Sequence, residues 1–433
     1  MQRSILLAAL AAGLVASGPA FAGGVLLYEI GTAEVGLASA GYGARAQDAS
    51  TAFTNPAGMT RLDGTQVLGG GQLIWLNNKF SIGGGTSPAL GNDAGGSALG
   101  WGGFVPGGGA FVSHSVSNDL KLGFSFAGNF GSKVGYDDNW VGRYRIQSAT
   151  MLGMSLVPSI AYRVGGGLSV GAGVNAMLGI YKQQVAINNV LPNQGDGQLE
   201  MSDTTWGWGG NVGLMYEVSP ATRFGLTWNS QVNLDFAAPA EFSGLGPGLS
   251  TLLRSRGLLD STIKVGVKVP QQVMASAFSQ VDDRWAVMGN VGWQQWSRFG
   301  DVALGIEDTS NPRSLTTSLP FKDTWHVAAG AQYRMSEPWL LNFGVAYDSA
   351  FQDGSNVSPL LPVNAAWRFG VGGEKQESPT FKWGIAGEFL WGGTIDVDSR
   401  ANLPVALGGR GDLVGSYNDT ASIVMTVYAN WKF

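Results

Sequence analysis

From about Thr65 to the C-terminus, apolar and polar residues alternate at every second position along much of the chain. The last segment shows this most plainly. Ile423, Met425, Val427, Ala429, Trp431 and Phe433 fall on one face, and Ser422, Thr426, Tyr428, Asn430 and Lys432 on the other. Trp325, Val327, Ala329, Ala331 and Tyr333 alternate in the same way with Thr324, His326, Gly330, Gln332 and Arg334. So do Leu120, Leu122, Phe124 and Phe126 with Lys121, Gly123 and Ser125. Successive side chains of a strand point to opposite faces, so a period of two marks strands with one oily side and one polar side.

Strands are predicted at 65–80, 101–116, 120–131, 151–164, 168–187, 204–218 and 221–236, then at 261–281, 284–300, 322–335, 339–350, 362–374, 381–397 and 414–433. The count is fourteen, an even number. Tight turns at 117–119, 165–167, 219–220, 282–283 and 336–338 alternate with connections of about 11–24 residues, the link at 375–380 being only slightly longer than the turns. Short turns on one rim and long loops on the other are the pattern of an outer-membrane β-barrel. Several strands exceed the roughly 9–11 residues that span a bilayer, so the barrel is expected to project beyond it.

A soluble sandwich would also alternate, and composition separates the two. Only 13% of the 433 residues are charged, against roughly 25% in soluble domains. Glycine numbers 67, aromatics make up 11%, there are 15 tryptophans, and cysteine is absent. Disulfides and thiolate metal sites are thereby excluded. A net charge of −5 without a basic run gives no nucleic-acid surface. The stretch 94–118 lacks Asp, Glu, Lys and Arg but is broken by glycines and Pro106, so it is no spanning helix.

Residues 1–22 read as a signal peptide: Arg3, an apolar run from Ile5 to Ala16, and Ala20-Phe21-Ala22 at the cleavage site. An exported, apolar chain without membrane helices leaves the closed barrel as the way to satisfy its backbone in lipid. Residues 23–63 read instead as a compact N-terminal segment of short helices and turns, and 64–433 as the barrel. The terminal Trp431-Lys432-Phe433 resembles the signal by which barrel assembly machinery recognises its clients.

Few motifs carry chemistry. Gly167-Leu168-Ser169-Val170-Gly171 matches the hydrolase nucleophile elbow, but that motif needs a strand–turn–helix and here it begins an alternating strand. His114 and His326 are the only histidines, too scattered for a metal site, and His326 is expected to be a solvated lumen residue. No cofactor is expected. In 237–260, Leu249, Leu252 and Leu253 fall at helical spacing, suited either to plugging the barrel or to capturing a ligand. In 132–150, Tyr136, Trp140, Arg143, Tyr144 and Arg145 mix rings and cations as an amphipathic anion would require.

At Asn55-Pro56-Ala57 the local chemistry gives a turn, since Asn bonds its own backbone and Pro fixes φ. With this motif, the segment 123–131 (GFSFAGNFG), the stretch 204–236, VPQQ (269–272), WQQWSRF (293–299) and FKDTW (321–325), the mature chain resembles the outer-membrane long-chain fatty acid transporter family, which also includes aromatic-hydrocarbon channels. The resemblance implies a fourteen-stranded, all-β barrel plugged by an N-terminal hatch, residues 23–63. It implies that Asn55, Pro56 and Ala57 latch onto an inward kink at Asn129, Phe130 and Gly131, where the wall opens sideways. Lys322 would face a ligand carboxylate. A family arginine falls at Ile180, with Lys182 nearby, and the lost guanidinium leaves neutral hydrocarbons open as ligands.

Passive uptake of a long-chain fatty acid or related hydrophobic molecule follows, with lateral release into outer-membrane lipid that bypasses the lipopolysaccharide layer. The barrel is expected to act as a monomer. An aromatic-hydrocarbon channel, a general porin and a lipid hydrolase using Ser169 are the alternatives.

Overall fold

A computed structural model describes residues 26–95, 104–189, 194–299, 301–307, 313–318, 321–352, 357, 359, 362–363 and 365–433. The predicted signal peptide lies outside them. The first six strands are β1 (Thr65–Ile82), β2 (Phe104–Ser115), β3 (Leu120–Gly135), β4 (Ser148–Gly165), β5 (Leu168–Ile187) and β6 (Gly197–Glu217). Then come β7 (Thr222–Asn229), continued by β8 (Val232–Pro239), a short β9 (Glu241–Ser243), and β10 (Thr262–Val269), continued by β11 (Gln272–Gln280). The rest are β12 (Trp285–Gln294), β13 (Asp301–Glu307), β14 (Arg313–Ser318), β15 (Thr324–Ser336), β16 (Trp339–Asp348), β17 (Ala366–Ser378), β18 (Phe381–Ser399) and β19 (Leu413–Lys432).

Each stave pairs antiparallel with its neighbours in sequence, and β1 pairs with β19, so the sheet closes. With the split staves joined, this is the fourteen-stranded barrel the alternation predicts. Outward positions are oily and exposed: Phe124, Trp208, Trp325, Ile385 and Val427 all lie there. Inward positions such as Ser125, His326, Thr426 and Asn430 are buried. Aromatic pairs mark the two edges of the oily band. Trp339–Trp383 and Phe381–Trp431 lie near the short turns, and Tyr347–Trp367 lies toward the long loops. From Trp339 to Tyr347 a strand rises about 26 Å at about 3.3 Å per residue, close to the apolar band of such barrels.

Three predicted strands prove to be interrupted, and a fourth has a further strand before it. The predicted strand 221–236 breaks at Ser230 and Gln231, and 261–281 breaks at Pro270 and Gln271. The predicted strand 284–300 ends at Gln294 in a helical turn, Trp296–Phe299, and the stave of 322–335 is preceded by a separate β14. Beyond the breaks, β14, β13, β10 and β8 form their own four-stranded sheet. Proline has no N–H to give the ladder, and glutamines stand in for the lost bonds. Gln271 Nε2 donates to Gln295 Oε1 at 2.7 Å and Gln294 Nε2 to the Tyr28 hydroxyl at 2.6 Å. Alternation continues through such a break, which is why it reads as one strand in the sequence.

The N-terminal segment, from Leu26 to Leu62, is almost wholly buried against the inward faces of the staves. Its helices are short: Ala33–Leu37, Thr51–Thr54 and Pro56–Arg61. Hydrogen bonds tie it around the ring. Gly31 N donates to Gln72 on β1, Gly41 N to Asn290 on β12 and Gly43 N to Ser276 on β11. Arg45 pairs with Glu34 and Asp48 at 2.9 Å each, both within the segment, and Lys382 on β18 lies 3.7 Å from Asp48. Gly70 on β1 permits one close approach, because a Cβ there would lie 1.7 Å from the Gly31 carbonyl oxygen.

Candidate functional site

The wall opens between β2 and β3. Pairing of these strands runs from Ser115↔Lys121 only as far as Gly109↔Ala127. Beyond that, among the described strands, Phe104–Gly108 pair only with β1 and Phe130–Gly135 only with β4. A bulge at Asn129, seen as a register shift between Gly128 and Phe130, turns β3 inward. Gly131 takes the crowded position, since a Cβ there would fall 2.8 Å from Leu152 and 2.9 Å from the Met151 carbonyl oxygen. The ladder between β2 and β3 therefore stops just before Asn129, Phe130 and Gly131.

The groups that meet the kink are not those expected. Leu27 N donates to Asn129 O at 2.9 Å, and Leu26 forms an isolated antiparallel bridge with Phe130. Asn55 lies elsewhere. Its amide nitrogen donates to Gly43 O at 2.7 Å and to Leu214 O on β6 at 3.0 Å, and its side-chain oxygen accepts from Ala57 N at 3.1 Å. A Cβ on Gly171 of β5 would press on Pro56 and Ala57. Asn55-Pro56-Ala57 thus anchors the segment to β5 and β6, and main chain at Leu26–Leu27 satisfies the kink. Sequence could not place Leu26 and Leu27, because two adjacent leucines carry no pairing signal.

A cavity of about 420 Å³ lies at the gap. Phe126, Leu152 and Met154 line its outer part, and Glu29, Arg368, Ser422, Val424 and the cross-strand neighbours Ile74 and Val105 its inner part. The cavity therefore runs from the lipid-facing wall to the lumen. Above it the lumen is oily. Phe130 meets Phe299 edge-on at 6.3 Å, and Trp296 stacks on Phe351 at 5.0 Å. Trp296, within the break of the ninth stave, is the residue that sequence reasoning missed here.

The expected ligand residues scatter. Ile180 and Lys182 sit on the outward face of β5, with Tyr181 and Gln183 the buried inward pair, so neither reaches the lumen. Lys322, just before β15, is exposed rather than set in a pocket, its N–H donating to Phe351 O. Leu253 is buried under the helix Pro247–Ser255, whereas Leu249 and Leu252 are half-buried. Trp140 is fully buried and stacks on Tyr136 at 3.9 Å. Arg143 is held by Asp196 at 2.7 Å and by Leu90 O at 2.9 Å.

Its neighbour Arg145 is the more telling cation. It is buried, and its guanidinium donates to uncharged oxygens: Ser399 Oγ and O, Arg410 O and Gly411 O. Burial lowers its pKa to about 10. Burial and the nearby Arg145 charge likewise lower that of Arg410 to about 10. Both groups remain cationic at neutral pH.

Three other sequence readings resolve here. His326 does face inward, but it is buried, with Nδ1 2.6 Å from Asp348 Oδ1, and is not the solvated lumen residue expected. Ser169 lies inside β5 and shares a 2.8 Å hydrogen bond with Thr60 Oγ1, away from any strand–turn–helix elbow. His114 bonds Thr65 Oγ1 at 2.8 Å near the short-turn rim.

A closed antiparallel barrel with an oily outer band, long loops on one rim and a buried N-terminal segment defines an outer-membrane β-barrel. The sequence profile of the outer membrane protein transport protein family (OMPP1/FadL/TodX) matches residues 13–433, and the chain belongs to that family. Among relatives, it is 28% identical over 423 residues to outer membrane protein P1 of Haemophilus influenzae, covering 88% of each chain. It is 26% identical over 357 residues to a long-chain fatty acid transport protein of Escherichia coli, covering 76% of this chain and 78% of that one. A solved Pseudomonas aeruginosa FadL homologue superposes with a TM-score of 0.79 at 20% identity, over 95% of this chain and 100% of that one. The Pseudomonas putida toluene transporter TodX superposes at 0.66 with 16% identity, again over 95% and 100%.

Proposed function

We propose that this barrel carries hydrophobic molecules passively from the cell exterior into the outer membrane and releases them sideways between β2 and β3. The observation that carries this reading is the unpaired stretch of wall with the 420 Å³ cavity behind it. Residues 23–63 serve as the hatch, and the main chain at Leu26–Leu27 is its contact with the portal. A ligand leaving water for the oily upper lumen gains about 0.8 kcal/mol per buried methylene, which suffices to draw it in without an energy source. Long-chain fatty acids are the ligands that the curated relatives' names favour, and the Arg145–Arg410 pair supplies a cationic place for the carboxylate at the entrance.

Motion of Leu26 and Phe130 then connects the upper lumen to the cavity. The experiment is uptake of oleate by cells carrying Gly131→Val, in which the added methyls collide with Leu152 and fill the bulge. Uptake is expected to fall at least tenfold with the barrel still assembled. Unchanged uptake would sink the lateral route.

A further inference from the structure

We infer that the lateral cavity accepts its ligand only in uncharged form, and that Glu29, Asp348 and Glu388 impose this by over-neutralising Arg368. The inference rests on reading the cavity as the ligand's exit. Arg368 forms the cavity's inner end and is 1% exposed. Its guanidinium pairs with Glu29 of the N-terminal segment and with Asp348, and Glu388 Oε1 lies 3.4 Å from Nη1. His326 Nδ1 is 2.6 Å from Asp348 Oδ1, while its Nε2 is buried without a partner. Tyr28 covers the group, 5.7 Å from the Arg368 guanidinium and 4.5 Å from the His326 ring.

Among the described residues, three carboxylates thus face one guanidinium. An isolated arginine at the end of an oily cavity would attract a fatty acid's carboxylate. This one has no charge left to offer, and excess negative charge in a poorly solvated place repels an anion strongly. Around this cluster Ile74, Val105, Leu152 and Met154 offer only apolar side chains. A hydrocarbon, an alcohol or a protonated acid meets no penalty there. The entrance, with Arg145 and Arg410, and the exit are therefore opposite in electrostatic preference.

The chain has no cysteine, so Met154→Cys places a single thiol at the cavity. The full-length variant in nanodiscs is alkylated with a maleimide in the presence of 1-hexadecanol or hexadecane-1-sulfonate at matched bilayer mole fraction. These probes share one chain, and the sulfonate stays charged at any working pH. The alcohol is expected to slow alkylation, and the sulfonate to need at least tenfold more for equal protection. Adding Glu29→Gln and Glu388→Gln is expected to bring the two within about twofold. Equal protection in the Met154→Cys protein overturns the charge filter while leaving the uptake reading intact. Protection by neither overturns the filter, and uptake in the Gly131→Val cells then decides the portal separately. A glutamine variant that migrates as a folded barrel yet still excludes the sulfonate overturns the assignment to these carboxylates.

Discussion

Asn55 shows how much one side chain can hold when it is buried with every valence used. Its amide bridges Gly43 O and Leu214 O and its oxygen caps Ala57 N, so it ties two turns of the N-terminal segment to β6. Asn55→Ala would leave these groups without partners, at about 1–3 kcal/mol for each buried group left unpaired. The expected outcome is faster hydrogen exchange at the amides of residues 43–62, with strand amides unchanged. Exchange at Ala57 as slow as in the unaltered protein would remove Asn55 from this role. At the same scale, local sequence chemistry gave the turn, while the neighbour that the resemblance implied differs from the one the structure shows. Asx geometry is local, whereas the partner across space depends on where the segment enters the lumen.

Among the connecting elements, the loop 136–147 carries the clearest chemistry. Arg145 sits among neutral acceptors, with its pKa lowered by burial to about 10. A depressed value in the folded chain means the unfolded chain binds this proton more tightly. The group's contribution to stability is therefore least favourable below about pH 10 and improves as pH rises through that value. Its charge follows the opposite course, complete at neutral pH and lost through about 10. Binding of an alkyl sulfonate to the purified barrel should thus be flat from pH 6 to 8 and weaken above about pH 9, while hexadecanol binding stays level. Arg145→Gln should cost the sulfonate about tenfold at pH 7, with little change for the alcohol. Equal losses for both would assign the arginine to packing alone. The split staves belong to this scale too. The breaks at Ser230–Gln231 and Pro270–Gln271 hid because alternation runs on through them, whereas β13 and β14 fell in a stretch read as a connecting loop.

For the molecule as a whole, the N-terminal segment decides between a channel and a plugged barrel. It is bonded to β1, β6, β11 and β12 and reaches the short-turn rim, where Arg61 pairs with Glu217. A planar bilayer with the full chain is expected to show no steady open-pore current, whereas a variant lacking residues 26–62 should conduct if its barrel assembles. Steady large conductance from the intact protein would favour a general porin. The whole barrel also determines what the cavity is. Residues as distant as Glu29, Asp348, Arg368 and Glu388 converge at a gap formed by β2 and β3.

Read alone, the sequence determined the class, the strand count and, where alternation is clear, the side of a stave that meets lipid, while the kink at Asn129–Gly131 came from the family resemblance. The first three follow from periodicity, which acts over a few residues and is written directly in the chain. Only the tertiary structure decided what the kink touches, that Ile180 and Lys182 turn away from the lumen, and that Arg368 is already neutralised. Those outcomes depend on register and on which staves face one another across the barrel, and a shift of one residue in a strand reverses every side chain.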